Sequence, residues 1–189
     1  MNKLKIAVSG SHSTGKSTFI NQVLNEVVKN GYKATIVTDI ASSCPLPILR
    51  HHTVESTLWI ATKSVEQEIE AEYKFDIIIV DRPILDCWAY FQWVCRNKYA
   101  DNNFKLLTLK SLIANWLPSY DFIYQTVVDD SIKIEATKGR DLDPIYRNEI
   151  AMEMEKASLL FDIKTKPLTT ANTEYEFIAL NNFILKYMQ

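Results

Sequence analysis

The sequence lacks the features that mark membrane, secreted and nucleic-acid-binding proteins. It has no uncharged apolar run of about 18 residues, the length that a membrane span requires. Residues 1–6 lack the apolar core and the small-residue cleavage site of a secretory signal. The formal net charge of −2 provides no basic surface for general binding to DNA or RNA. We therefore expect a cytoplasmic protein with no membrane span and no general nucleic-acid partner.

Cysteine is also scarce. The three cysteines, Cys44, Cys87 and Cys95, form neither a C-x-x-C pair nor a spacing typical of zinc ligands. An odd number of cysteines in a reducing compartment indicates free thiols. We expect these side chains to have a structural role, because free cysteine is among the residue types that are most often buried.

The length of 189 residues suits one α/β domain, and no repeat, low-complexity tract or linker divides the chain. Short apolar runs alternate with segments whose apolar residues recur at helical spacing. Strands are predicted at 4–8, 34–38, 75–80 and 122–128, with a weaker one at 163–168 that contains Pro167. Helices are predicted at 16–29, around 54–69, at 84–96, 104–116 and 143–161, and from about 174. Because parallel strands need crossover helices, we predict a mostly parallel five-stranded sheet with helices on both faces, in a single domain over residues 1–189.

A phosphate-binding motif follows the first predicted strand. Residues 10–17 read Gly-Ser-His-Ser-Thr-Gly-Lys-Ser and match the pattern G-x-x-x-x-G-K-[ST] in full. Gly10 and Gly15 allow backbone N–H groups to turn onto phosphate oxygens, and the following helix adds the positive end of its dipole. The residues predicted to bind ATP are Gly10, Ser13, Thr14, Gly15, Lys16, Ser17 and Thr18.

Three side chains near this motif have predicted roles in catalysis or metal binding. Lys16 would bridge the β- and γ-phosphates, and the Ser17 hydroxyl would be a ligand of Mg²⁺. Asp81 follows a buried apolar strand, as the acidic residue of a Walker B motif does. It could hold Mg²⁺ or accept a proton, and the alternative is that it only caps the next helix. His12 occupies a variable position of the loop, for which catalysis is the weaker interpretation.

Asp39 and Arg82 are further candidate catalytic residues, because each follows a predicted strand on the same edge of the sheet. Asp39 could act as the general base that orients an acceptor hydroxyl for in-line phosphoryl transfer, or it could only form a turn. Arg82 could clamp an anionic substrate or a phosphate through two hydrogen bonds, or it could form a surface ion pair.

A predicted lid spans residues 129–147. Arg140 and Arg147, together with Lys138, would bring positive charge onto the oxygens of the transferring phosphoryl group. The alternative is a solvated basic face, and the sequence leaves both open.

These residues resemble the P-loop nucleoside and nucleotide kinases. Within that group the chain is similar to the ATPase-like family that includes the ribosylnicotinamide kinase domain of the bacterial NAD regulator and related phage and bacterial kinases. The resemblance rests on residues 10–17, on Asp81-Arg82-Pro83, and on Lys138-Gly139-Arg140 with Arg147. It implies a three-layer P-loop NTPase fold with ATP and Mg²⁺ as cofactors.

One departure from that family concerns the acceptor. Its members often carry Glu with a nearby Arg after the second strand, whereas residues 38–43 contain Asp39 and no close Arg. Arg50, His51 and His52 are candidate substitutes. The identity of the acceptor therefore stays open.

The leading hypothesis is a kinase that transfers the γ-phosphoryl group of ATP to a nucleoside or a nucleoside monophosphate. The alternatives are a regulatory or switch-type ATPase that acts on a protein or nucleic-acid partner, and a protein that binds nucleotide without turnover. The sequence also leaves open whether Asp39 or Asp81 is the base and whether the protein forms a homodimer.

Overall fold

The computed structural model describes residues 3–95, 103–132 and 142–188. Strands and helices alternate along the chain, as the sequence predicts. The strands are β1 (Leu4–Ser9), β2 (Ala34–Val37), β3 (Ile77–Asp81), β4 (Phe122–Thr126) and β5 (Lys166–Leu168). The helices are α1 (Lys16–Lys29), α2 (Val54–Lys74), α3 (Ile84–Cys95), α4 (Phe104–Trp116), α5 (Pro144–Leu160) and α6 (Thr173–Tyr187).

The five strands form one parallel sheet in the order β2-β3-β1-β4-β5. β1 is central, with Ile6 in register with Ile79 of β3 on one side and with Phe122 of β4 on the other. The chain runs from β1 towards β2 and later returns to β4 on the opposite side. Such a reversal of strand order opens a crevice beyond the carboxyl ends of the central strands.

Alternating side chains of the strands bury both faces of the sheet. Leu4, Ile6 and Val8 of β1 pack against α1 and α6 on one face. Ala7 of the same strand, with Ile78 of β3, belongs to the larger core beneath α2, α3 and α4. Buried faces on both sides of a strand are typical of parallel sheets that are covered by helices. The predicted three-layer α/β fold is therefore confirmed.

Local sequence explains where several elements begin and end. Thr53 and Ser56 form a capping box at the start of α2. Asp143 caps α5 as predicted, because its Oδ1 accepts a hydrogen bond of 2.9 Å from the backbone N–H of Ile145. β5 is shorter than predicted and begins at Lys166. Its proline is tolerated because β5 pairs only with β4 and forms an edge of the sheet.

Within the described ranges, every helix is too short or too polar to cross a bilayer. No disulfide joins the three cysteines, all of which lie in those ranges. Cys87 and Cys95 are buried in the core and Cys44 is half-buried. These positions agree with the structural role that we expect for them.

Candidate active site

The loop predicted to bind phosphate, called the phosphate-binding loop below, connects β1 to α1 and depends on two glycines with positive φ. Gly10 has a φ of 141°, and a Cβ atom there would lie 1.8 Å from Oγ1 of Thr126 at the end of β4. Gly15 has a φ of 87° and is the N-cap residue of α1. Because glycine provides no side-chain cap, the first N–H groups of α1 remain available to an anion.

Hydroxyl groups brace this loop against the sheet. Oγ1 of Thr14 donates to the carbonyl of Ser11 at 2.9 Å and lies 2.6 Å from Oγ1 of Thr126. The Thr126 hydroxyl also lies 3.2 Å from the carbonyl of Ser9, so that its one proton can be donated either to Thr14 or to Ser9. The last residue of β4 therefore holds both the start and the middle of the loop.

Lys16 is buried at the start of α1, with 6% of its surface exposed. Its Nζ donates to the carbonyl of Ser11 within the same loop. Burial, and then the charge of Arg82, lower the pKa of Lys16 to about 7. Carboxylates act in the opposite direction, and Asp81 has the largest such effect. The ammonium group therefore lies where a bound polyanion would strongly favour its charged form.

Asp39 and Arg82 form an ion pair at the carboxyl ends of β2 and β3. Nε of Arg82 lies 2.9 Å from Oδ2 of Asp39. The other carboxylate oxygen of Asp39 accepts a hydrogen bond from the backbone N–H of Ala41 at 2.9 Å, which is the contact of an Asp turn. Both interpretations of Asp39 are thus compatible with its geometry. The pair lines a cavity.

Further contacts hold the guanidinium of Arg82. Its Nη1 donates to the carbonyl of Gly10 at 3.3 Å and to the hydroxyl of Tyr90 at 3.0 Å. Burial opposes its charge, but Tyr90 and the carboxylates of Asp39 and Asp86 outweigh burial and raise the pKa of Arg82. Arg82 is therefore a permanent cation between the phosphate-binding loop and Asp39.

Asp86, in the first turn of α3, lines the same cavity and is not among the residues predicted to form the site. Its oxygens accept hydrogen bonds from Oγ of Ser9 at 2.5 Å and from the backbone N–H of Gly10 at 3.2 Å. Burial raises its pKa to about 6, against the opposing effect of Arg82. The one signal in the sequence is its position four residues after Arg82, close enough along the chain for the two charges to approach each other across the turn that precedes α3.

One cavity of about 420 Å³ joins these groups. The phosphate-binding loop lines it together with Asp39, Asp81, Arg82 and Asp86. The other lining residues, which we call the far wall, are largely aliphatic and come mainly from α2, α3 and the segment between β2 and α2. The larger side chains of the far wall are Ile40, Ile48, Leu49, His52, Ile60 and Tyr90.

His52 is the buried imidazole of the far wall. Its ring stacks on Tyr90 with centroids 5.8 Å apart, and Nδ1 lies 3.3 Å from Oγ1 of Thr57. Burial lowers its pKa to about 4, although Asp39 acts in the opposite direction. His52 is therefore neutral at pH 7. Of the three candidate substitutes on the acceptor side, His52 lines the cavity, whereas Arg50 pairs with Asp143 at 2.9 Å.

Arg147 lies apart from the cavity lining and is buried, with 2% of its surface exposed. Its Nη1 donates to the carbonyl of Ile132 at 3.1 Å, and its Nη2 lies 2.9 Å from Oδ1 of Asp130. A solvated basic face is therefore wrong for Arg147. Arg140 and Lys138 lie outside the described residues, as does the whole of 133–141 within the predicted lid.

The predicted magnesium ligands Ser17 and Asp81 both line the cavity. In the part of the chain that the structure describes, no group of three or more His, Cys, Asp or Glu side chains is arranged to hold a metal ion. Mg²⁺ that binds with a nucleotide needs only one or two protein oxygens, because phosphates and water supply the other ligands. A hydroxyl and a carboxylate fit that requirement.

Neither a protein-family model nor a curated protein sequence matches the chain. Solved structures do match. The chain is similar to deoxyadenosine kinase from M. mycoides with bound dATP, at 20% identity and a TM-score of 0.63, over 94% of this chain and 99% of that one. It is also similar to thymidylate kinase from Candida albicans, at 12% identity and a TM-score of 0.60, over 99% of this chain and 93% of that one.

These similarities confirm the three-layer α/β fold that the sequence predicts, which the chain shares with both kinases. The narrower resemblance to the ribosylnicotinamide kinase domain stays a prediction.

Proposed function

We propose that the protein is an ATP-dependent kinase that transfers the γ-phosphoryl group to a hydroxyl of a nucleoside or, less favourably, to a nucleoside monophosphate. One observation carries the proposal: a single cavity joins the phosphate-binding loop to the Asp39–Arg82 pair and to an aliphatic wall. In-line transfer needs the donor phosphate and the acceptor in one enclosed space. The shared fold with deoxyadenosine kinase and thymidylate kinase supports it.

The donor end would hold ATP through the loop and the start of α1. Lys16 would contact the β- and γ-phosphates, whose charge favours the protonated amine that burial alone disfavours. Ser17 and Asp81 would hold Mg²⁺, which neutralises charge on the phosphates. Arg140 would approach from the lid at 129–147, and Arg147 would anchor the start of that lid through Ile132 and Asp130.

Asp39 would accept the proton of the attacking hydroxyl. Its two oxygens are oriented by Arg82 and by the N–H of Ala41, and its side chain is 38% exposed, so that an acceptor can reach it. Arg82 pairs with this carboxylate at 2.9 Å, and a carboxylate is the form that accepts a proton. Asp81 comes from β3, beside the loop, and would serve the metal instead.

The charges of the cavity favour an uncharged nucleoside over a monophosphate. Among the described lining residues, three carboxylates (Asp39, Asp81 and Asp86) face two cations, Lys16 and Arg82. His52 adds no charge at pH 7, because its pKa is lowered to about 4. A monophosphate would place two further negative charges among these carboxylates, whereas a nucleoside would place none.

ADP formation with a panel of nucleosides and their 5′-monophosphates, including nicotinamide riboside, tests this function. We expect at least one nucleoside to raise turnover well above the rate with water, and Lys16→Ala to abolish that increase. Hydrolysis that no acceptor stimulates would instead support the regulatory ATPase. Nucleotide binding without any turnover would contradict both enzymatic functions.

A further inference from the structure

Asp86 is a fully buried carboxylate that lines the cavity, and the proposed chemistry leaves it without a role. Only 2% of the residue is exposed. Oδ1 accepts a hydrogen bond from the Ser9 hydroxyl at 2.5 Å, and Oδ2 accepts one from the backbone N–H of Gly10 at 3.2 Å. A side chain of α3 thus holds the end of β1 and the first residue of the phosphate-binding loop.

The same carboxylate faces the cation that holds the acceptor-side acid. Oδ2 of Asp86 lies 3.9 Å from Nη1 of Arg82, whose Nε lies 2.9 Å from Asp39. Nη1 of Arg82 also donates to the carbonyl of Gly10 at 3.3 Å. Gly10 is therefore held on both sides, through its N–H by Asp86 and through its carbonyl by Arg82.

A purely structural brace at this position would not need a charge. Burying a carboxylate is costly unless its partners offset the loss of hydration. Asp121, at the other end of β1, makes the same kind of contact without being buried. Its Oδ2 accepts a hydrogen bond from the backbone N–H of Lys5 at 2.8 Å, but Asp121 is exposed and lies away from the cavity lining.

We propose that Asp86 is a positioning residue that couples the phosphate-binding loop to Asp39 through Arg82. The inference rests on the proposed kinase function. With Asp86 in place, the charge of Arg82 is shared between two carboxylates. Without that charge, Arg82 would interact more strongly with Asp39, and an amide in place of the carboxylate could accept a hydrogen bond from only one of Ser9 and Gly10. Affinity for the ATP donor and activation of the acceptor hydroxyl would therefore both decrease.

The first test compares Asp86→Asn with the matched control Asp121→Asn. Both changes remove the charge of a carboxylate that accepts a β1 or loop N–H. Calorimetric titration with Mg²⁺ and a non-hydrolysable ATP analogue is expected to show roughly 10- to 100-fold weaker binding for Asp86→Asn, the range for a lost hydrogen bond to a charged group. Asp121→Asn should bind like the wild type. Equal affinity for Asp86→Asn and the wild type would overturn the inference.

The second test measures coupling to Asp39 in acceptor-dependent turnover. Asp86→Asn should lower kcat, and the double variant Asp39→Asn/Asp86→Asn should lose clearly less than the product of the two single losses. Losses that multiply would mean that Asp86 does not act through Asp39. A purely structural role would lower only the melting temperature and leave kcat and KM unchanged, which would also overturn the inference.

The two tests separate this inference from the proposed function. A wild type without acceptor-dependent turnover would contradict the kinase function. Binding of the ATP analogue would still test whether Asp86 positions the phosphate-binding loop. If Asp86→Asn does not fold, Ser9→Ala removes one partner of the carboxylate and keeps its charge. We expect that variant to bind the analogue several-fold more weakly. Unchanged binding would overturn the inference.

Discussion

Two clusters of buried charge lie at opposite ends of β1. At the amino end, Nζ of Lys5 lies 3.2 Å from Oε2 of Glu68 and donates to the Ser119 hydroxyl at 3.1 Å. Glu68 accepts further hydrogen bonds from the hydroxyl of Tyr120 and the indole N–H of Trp116, both at 2.8 Å. Protein groups therefore surround this carboxylate.

At the carboxyl end, Lys16, Arg82, Asp39 and Asp86 form a similar cluster that lines the cavity of about 420 Å³. Burial raises the pKa of Glu68 at one end and of Asp86 at the other, so that burial alone does not distinguish the clusters. The cavity does. A buried ion pair enclosed by protein contributes to the fold, whereas one that lines a cavity is a candidate for ligand binding.

The largest expected effect is on the fold, from Glu68→Ala. The change leaves Lys5 with less compensation in a buried site, and breaking a buried ion pair in this way costs about 3–5 kcal/mol of unfolding free energy. Urea denaturation measures it. The control is Glu55→Ala, because Glu55 forms an exposed ion pair with Lys105 at 2.6 Å and should change stability by less than about 1 kcal/mol. Equal effects of the two changes would contradict the assigned role of this cluster.

The next effect is on catalysis, from Asp39→Asn at the other end of β1. The amide cannot accept the proton of the acceptor hydroxyl, so we expect kcat to fall by about 10²–10³-fold. Affinity for the ATP analogue should stay within about threefold, because Asp39 lies on the acceptor side of the cavity. Steady-state kinetics and calorimetry measure the two quantities. A variant with normal kcat would exclude Asp39 as the base.

A smaller effect concerns the pH dependence of stability through His52. Its pKa is lowered to about 4 in the folded protein by burial, against about 6.5 in the unfolded chain. The unfolded state therefore takes up a proton first as the pH falls. His52 should cost stability progressively from about pH 6.5 down to about pH 4, by up to roughly 3 kcal/mol.

The measurement is the difference in unfolding free energy between the wild type and His52→Asn across this pH range. A difference is needed because Asp86, with its pKa raised to about 6, acts in the opposite sense: its burial destabilises the fold as the pH rises. We expect the wild type to lose its advantage over the variant as the pH falls. A difference that does not change with pH would show that His52 is not buried in its neutral form.

Those parts of the structure that depend on local sequence could be predicted. The phosphate-binding loop is a contiguous motif, and the Asp143 cap of α5 follows from adjacent residues. The role of Asp86 could not be predicted, since its partner Ser9 is 77 residues away. For Arg147 the sequence predicts a contact that the structure does not show. Its position indicates a phosphate contact, whereas its guanidinium contacts Ile132 and Asp130. The far wall of the cavity likewise combines segments that only the tertiary fold brings together.

The central claim is that donor and acceptor meet in one cavity, and the fate of the γ-phosphoryl group tests it most directly. Purified protein would be incubated with Mg²⁺, ATP labelled in its γ-phosphate and the nucleoside that stimulates turnover, and the products would be separated. The account predicts label in the nucleoside monophosphate, in equal amount to the ADP formed. Label that appears only in inorganic phosphate would contradict it.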